Sequence, residues 1–103
     1  MLLVITTVPD AEEGETLATK IVEAKLAACV QILPAMTSVY VWQAALHKES
    51  EHLLFIKTLP EQYRELERLI LTHHSYDVPE IASFEASNVS EGYSKWLREY
   101  LST

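Results

Sequence analysis

Residues 2–8 form an apolar run, Leu2-Leu3-Val4-Ile5 passing through Thr6-Thr7 to Val8 and stopped by Pro9, which predicts a buried strand. Asp10 then reads as an N-cap, with Glu13 three residues on to complete a capping box. Leu17, Ala18, Ile21 and Val22 recur at helical spacing, so the helix buries one face and ends near Lys25. Residues 26–33 predict a second strand closed by Pro34, and Ala35-Met36 a short break. Residues 38–46 alternate, with Tyr40 and Trp42 on one face and Val39 and Val41 on the other. Residues 47–50 read as a polar turn, and 51–58 as a strand centred on Leu53-Leu54-Phe55-Ile56. Thr58 and Glu61 suggest another capping box, with Pro60 in the first turn, where its missing N–H does no harm. Tyr63, Leu66 and Ile70 mark the buried stripe of that helix, which stops at His73-His74. Residues 80–86 predict a strand. Ser90 can cap a last helix with Tyr93, Trp96, Leu97, Tyr100 and Leu101 along one face.

The order is β-α-β-β-α-β plus a terminal helix, which predicts an α+β, ferredoxin-like split β-α-β fold: an antiparallel sheet with two helices on one face. Residues 1–103 are expected to form one domain, since no linker, repeat or low-complexity stretch interrupts them. The stretch from Ser38 to Thr58 is long for so small a sheet. A hairpin that outgrows its sheet leaves unpaired edges, and another subunit can cover them. The aromatic stripe of the last helix also exceeds what a peripheral helix needs. Both features predict an oligomer.

Composition narrows the function. Eight Lys+Arg stand against fifteen Asp+Glu, a net charge of -7 with no basic cluster, which argues against nucleic acid and anionic membranes as partners. Half the residues are hydrophobic (49%), enough for a packed core. A single cysteine and no apolar run near the ~20 residues of a membrane span predict a cytoplasmic protein. With Gly14 and Gly92 so far apart, a Gly-rich phosphate loop cannot be built.

Two kinds of chemistry remain. His73 and His74 close a helix just before Tyr76-Asp77-Val78-Pro79-Glu80-Ile81. Neighbours on a helix point about 100° apart, so both reach one metal ion only if the helix ends between them. The competing reading is a C-terminal cap on the last carbonyls. His47 and His52, on or beside the expected turn, read as solvated. Cys29 lies in an apolar strand with no base in view, and a free cysteine there behaves as a small hydrophobe.

Leu26-Ala27-Ala28-Cys29-Val30, Pro34, Ser38-Val39-Tyr40-Val41-Trp42, Lys57-Thr58, His74 to Ile81, Tyr93 and Trp96-Leu97 together resemble the CutA family of divalent-cation tolerance proteins. The resemblance implies a ferredoxin-like homotrimer of PII type, whose long hairpins pair with neighbouring subunits. It implies no catalysed reaction, but binding of divalent metal ions, copper among them, in cation tolerance. The family's paired histidines match His73 and His74. Its cysteine ligand on the first strand is Thr6 here, a poor copper ligand. The family favours proline at Ser75 and glycine at Ala44, so the expectation is a looser turn after the helix and a less extreme backbone after Trp42. The family also implies a cleft between subunits gathering the positions of Cys29, Trp42, Glu51, Lys57 and Glu80. The alternative function is therefore a PII-like sensor, with an anionic or amphoteric ligand held by Lys57 against Trp42. Glu80 is expected to pair with Lys57.

Overall fold

The computed structural model describes residues 1–102. Strand β1 (Leu2–Val8) leads to helix α1 (Ala11–Glu23) and strand β2 (Cys29–Ile32). Strands β3 (Met36–Trp42) and β4 (Ala45–Thr58) form a hairpin. A 3-10 turn at Pro60–Gln62 opens helix α2 (Tyr63–His73), followed by strand β5 (Ala82–Glu85) and helix α3 (Glu91–Leu101). The main sheet runs β2-β4-β1-β5, all neighbours antiparallel, and β3 pairs with β4 off that path. This is the expected ferredoxin-like order, with β3 added.

Alternation along the strands separates two faces. Val4, Thr6 and Val8 of β1, and Leu54, Ile56 and Thr58 of β4, are fully buried. They pack with Leu17 and Ile21 of α1 and Leu66 and Ile70 of α2 in the main core. Gly14 allows that approach: a Cβ there would lie 3.3 Å from Val8 Cγ2. A smaller cluster joins Ala28 to Leu97 and Leu101 of α3.

Several local expectations change. Asp10 does cap α1, its Oδ1 accepting the Glu13 N–H at 2.8 Å. Thr58, in contrast, is the last residue of β4 and donates its hydroxyl to Leu26 O at 2.7 Å, so it caps nothing; Leu59 precedes the 3-10 turn that Pro60 begins. Second, β2 starts only at Cys29, because Lys25 takes a left-handed conformation (φ 59°) that turns the chain out of α1. The largest difference is the hairpin. The polar stretch 47–50 is strand, paired residue for residue with β3, and the reversal falls at Gln43-Ala44. Both have positive φ, 51° and 65°, as a tight two-residue hairpin turn requires. Neither is Gly or Asn, so the turn carries no usual sequence signal, and the backbone at Ala44 is not less extreme.

Candidate functional site

The main sheet carries α1 and α2 on one face. On the other, a cleft of about 580 Å³ opens between the sheet, the β3–β4 hairpin and the segment after α2. Glu51 lies in it at the point where β4 leaves β1: Val8 is opposite His52, and β4 before that pairs with β3 alone. Glu51 is 7% exposed and accepts the Tyr76 hydroxyl at 2.7 Å. Trp42 and Tyr40 come from the hairpin, and Asp77 and Glu80 from the segment after α2. Among the described residues of the chain, no Lys, Arg or His lines this cleft.

Burial, then the Glu51 hydrogen bond and charge, hold the Tyr76 phenol well above its ordinary range. Tyr40 is also raised, by desolvation first and then by Glu49 and Glu51. Tyr40 stacks on His47, its partner across the hairpin, with ring centroids 5.3 Å apart. His52 is not solvated: its Nδ1 donates to Leu33 O at 2.8 Å.

The five positions of the implied cleft divide within one chain. Trp42, Glu51 and Glu80 line it together. Cys29 and Lys57 face each other across β2 and β4, and the Lys57 ammonium lies 5.4 Å from the Tyr93 ring centroid. Lys57 shares a face of β4 with Glu51 but stands six residues further on, about 20 Å along a strand. Within one chain it makes no ion pair with Glu80 among the described residues; the expected pairing is one between subunits. Only a second copy could bring Lys57 to this cleft.

The two histidines also part. His73, the last residue of α2, is exposed and borders a shallow groove beside Asp10, Glu12 and Glu13. The side chain of His74 is wholly buried. Its Nε2 donates to Thr7 O at 2.7 Å, and its Nδ1 accepts the Tyr76 N–H at 3.0 Å. A carbonyl can only accept and an amide N–H only donate, so the ring is a neutral Nε2–H tautomer with no lone pair to spare. It packs on Tyr76 with centroids 4.8 Å apart. His74 is the C-cap of α2, its backbone N–H donating to Ile70 O at 2.9 Å, while its side chain ties the helix end to β1.

Ser75 extends the same tie. Its N–H and hydroxyl both donate to Glu13 Oε2, at 3.1 and 3.0 Å. A proline could offer neither hydrogen, so Ser75 fastens the turn rather than loosening it. Thr6 is buried in the core with its hydroxyl unpartnered, out of reach of an exposed metal site. Among the described residues no three His, Cys, Asp or Glu side chains assemble as a metal centre.

Tyr76, Tyr40 and Asp77 belong to the cleft although sequence reasoning did not place them there. Tyr76 and Asp77 sit in the segment the sequence singles out after the histidines, and Tyr40 shares a face with Trp42.

This geometry defines a ferredoxin-like binding fold with a projecting hairpin and an acidic, aromatic cleft. Residues 2–100 match the family described as CutA1 divalent ion tolerance protein. The chain belongs to that family, which places it among proteins of divalent-cation tolerance. It is 41% identical over 97 residues to the chloroplastic protein CutA of Arabidopsis thaliana, covering 94% of this chain and 53% of that relative, so it spans about half the relative's length. It is 39% identical to the divalent cation tolerance protein of Thermus thermophilus, whose solved structure superposes with a TM-score of 0.92 over 97% of this chain and 98% of that one. The periplasmic divalent cation tolerance protein CutA of Archaeoglobus fulgidus, 28% identical, reaches 0.94 over 98% and 99%.

Proposed function

We propose that this chain serves divalent-cation tolerance as a binding protein without catalysis, and that cations enter at the cleft floored by Glu51. One observation supports this above the others. Glu51 is buried, its hydrogen-bond partner among the described residues is a neutral hydroxyl, and no basic side chain among the described residues of the same chain lines the cleft. A carboxylate removed from water without a counter-charge carries a penalty of several kcal/mol, of order 3–5 when a buried charge is left alone. A cation in the cleft offsets that penalty. Hard divalent ions take oxygen ligands and keep several waters, so they need no preformed shell of side chains.

Copper favours imidazole and thiolate. His73 is the exposed imidazole of the pair, and we assign it weak copper binding beside Glu12. For His74 to join through Nδ1, it must give up the hydrogen bond from the Tyr76 N–H, which lowers the affinity. A homotrimer is the proposed assembly, supported by exposed Val39, Val41 and Leu46 on a hairpin with an unpaired edge. The sensor reading, with a ligand between Lys57 and Trp42, needs that assembly, because the two are apart in one chain. The proposed location is the cytoplasm. The relatives named chloroplastic and periplasmic work elsewhere, and no helix among the described residues is long and apolar enough to cross a membrane.

Calorimetric titration with zinc, manganese and copper tests the reading on wild type, Glu51→Gln and His73→Ala. Glu51→Gln should weaken zinc and manganese by about tenfold or more, and His73→Ala should weaken copper alone. Unchanged zinc and manganese binding in Glu51→Gln would remove the cleft from the role.

A further inference from the structure

Residues 75–81 run around the end of the main sheet, from the helix layer to the open face. At the start of this segment, three consecutive residues are each held by a different element. The wholly buried His74 ring donates from Nε2 to Thr7 O of β1 at 2.7 Å. The Ser75 N–H and hydroxyl both donate to Oε2 of Glu13, in the first turn of α1, at 3.1 and 3.0 Å. The Tyr76 hydroxyl donates to Glu51 Oε2 of β4 at 2.7 Å. The far end is fixed where Ala82 pairs with Ile5 of β1. Between the two ends Asp77, Val78 and Glu80 are exposed.

We propose that residues 75–81 form a strap that opens and closes with Glu13 as its latch, and that the closed strap is an autoinhibitory contact on Glu51. Closed, it keeps the Tyr76 hydroxyl on Oε2 and so occupies one of the two oxygens of that carboxylate. Open, it returns the oxygen. Glu13 is then a positioning residue: from the helix side of the sheet it decides whether Glu51 is capped. Glu13, Tyr76 and Glu51 belong to one chain, so the device works equally with Lys57 of a second copy beside Glu51. It goes beyond the cation reading and holds for any occupant of the cleft.

Two physical points distinguish a strap from a fixed loop. First, the N–H groups of Ser75 and Tyr76 are held by side chains, Glu13 and Nδ1 of His74. Side-chain partners let go by local motion, with no helix or strand ladder to break. Second, a single acceptor oxygen holds both Ser75 donors. That oxygen stands 3.6 Å from Nδ1 of His74, which already accepts the Tyr76 N–H, so it gains no hydrogen bond there. Releasing Glu13 therefore frees both donors in one step. Hydrogen bonds to a carboxylate are roughly twice as strong as neutral ones, which favours the closed strap. Ser75 is exposed, so its freed donors pass to water at small cost, which lets the strap open.

Hydrogen exchange followed by NMR tests the proposal on the intact protein in its native assembly. Glu13→Ala should speed exchange of the Tyr76 amide at least about tenfold and leave the Ile56 amide, in the middle of β4, unchanged. Glu13→Gln, whose side-chain carbonyl still accepts from Ser75, should stay within about threefold of wild type. Tyrosine labelled at Cζ reads the other end of the strap. The Tyr76 resonance, identified by its absence in Tyr76→Phe, should move in Glu13→Ala toward its position in Glu51→Ala, where the acceptor is gone. Unchanged exchange at Tyr76 or an unmoved Cζ resonance overturns the proposal. So does an equal rise at Ile56, which would mean that the whole fold has loosened. Should Glu13→Ala fail to fold, judged by thermal melting, Ser75→Ala replaces it. It removes one of the two donors and should speed Tyr76 exchange severalfold, and no change counts against the proposal. No cation enters these measurements. A cleft that binds no zinc leaves the strap standing, and a rigid strap leaves the cation reading standing.

Discussion

One strand, β4, contains two regions that behave differently. From His52 to Thr58 it lies inside the main sheet, paired with β1 throughout and with β2 from Leu54 to Lys57, and Leu54, Ile56 and Thr58 are wholly buried. From Ala45 to Ser50 it has only β3 as a neighbour, and Leu46 is 65% exposed. The backbone is extended throughout. The difference is what lies beside it, so being a strand here is a matter of pairing, while stability is a matter of burial. Glu51 sits at the junction, close enough to the sheet to be buried and close enough to the hairpin to line a cleft.

The largest test removes core volume from one region and surface from the other. Ile56→Ala should cost about 3–4 kcal/mol in urea unfolding, as buried Ile to Ala changes do. Leu46→Ala should stay within about 0.5 kcal/mol if the hairpin is exposed in solution. A loss above about 1 kcal/mol for Leu46→Ala, growing with protein concentration, would mean that another copy covers the hairpin.

The paired histidines sharpen the contrast at the sheet end. His74→Ala should lose about 2–3 kcal/mol, because it leaves the Tyr76 N–H and Thr7 carbonyl without partners in a buried place. His73→Ala should change stability by less than about 0.5 kcal/mol. Equal effects would show that the buried tie is not made in solution.

At the far end of the hairpin, Ala44→Gly should stabilise by about 0.5–1 kcal/mol, since glycine accepts the positive φ without penalty. A loss on that substitution, read by the same unfolding curves, would show that the Ala44 side chain is packed against a neighbour.

The smallest effect concerns pH. The Tyr76 phenol is raised by burial and by Glu51, so its neutral form is favoured in the folded chain. A raised folded pKa contributes stability that is fully present below the unfolded value of about 10 and is lost as pH rises toward the folded value. Stability should therefore fall on going above pH about 10, and Tyr76→Phe should flatten that decline. An unchanged alkaline slope in the Phe variant would place the loss on other groups, Tyr40 and Tyr63 first, since burial raises both.

Much of the fold was legible because it depends on periodicity. The apolar run at 2–8, the helical stripes around Leu17 and Leu66, and Asp10 as a cap all follow from local rules. The hairpin reversal was not legible. Gln43-Ala44 lacks the residues that make a positive φ easy, and the polar run His47-Lys48-Glu49-Ser50 looks more like a turn than the true one does. Pairing with β3 over seven residues outweighs that local preference. Thr58 and Ser75 are alike in this respect, since each hydroxyl went to a partner distant in sequence, Leu26 and Glu13. Of the site, Trp42, Glu51 and Glu80 were visible through family resemblance. Tyr40, Tyr76 and Asp77 were missed because aromatic and acidic residues are common on surfaces, and only folding made a cleft of them.

By itself the chain determined its element order, its ferredoxin-like class and its acidic character, because alternation, helical spacing, capping and charge are properties of neighbours along the sequence. Only the tertiary structure decided which histidine is buried, which carboxylate faces a cleft and which lysine stands away from it. Those outcomes depend on distances between β1, β4 and the segment after α2, and on which polar groups lose water. Both follow from packing rather than from spacing along the chain.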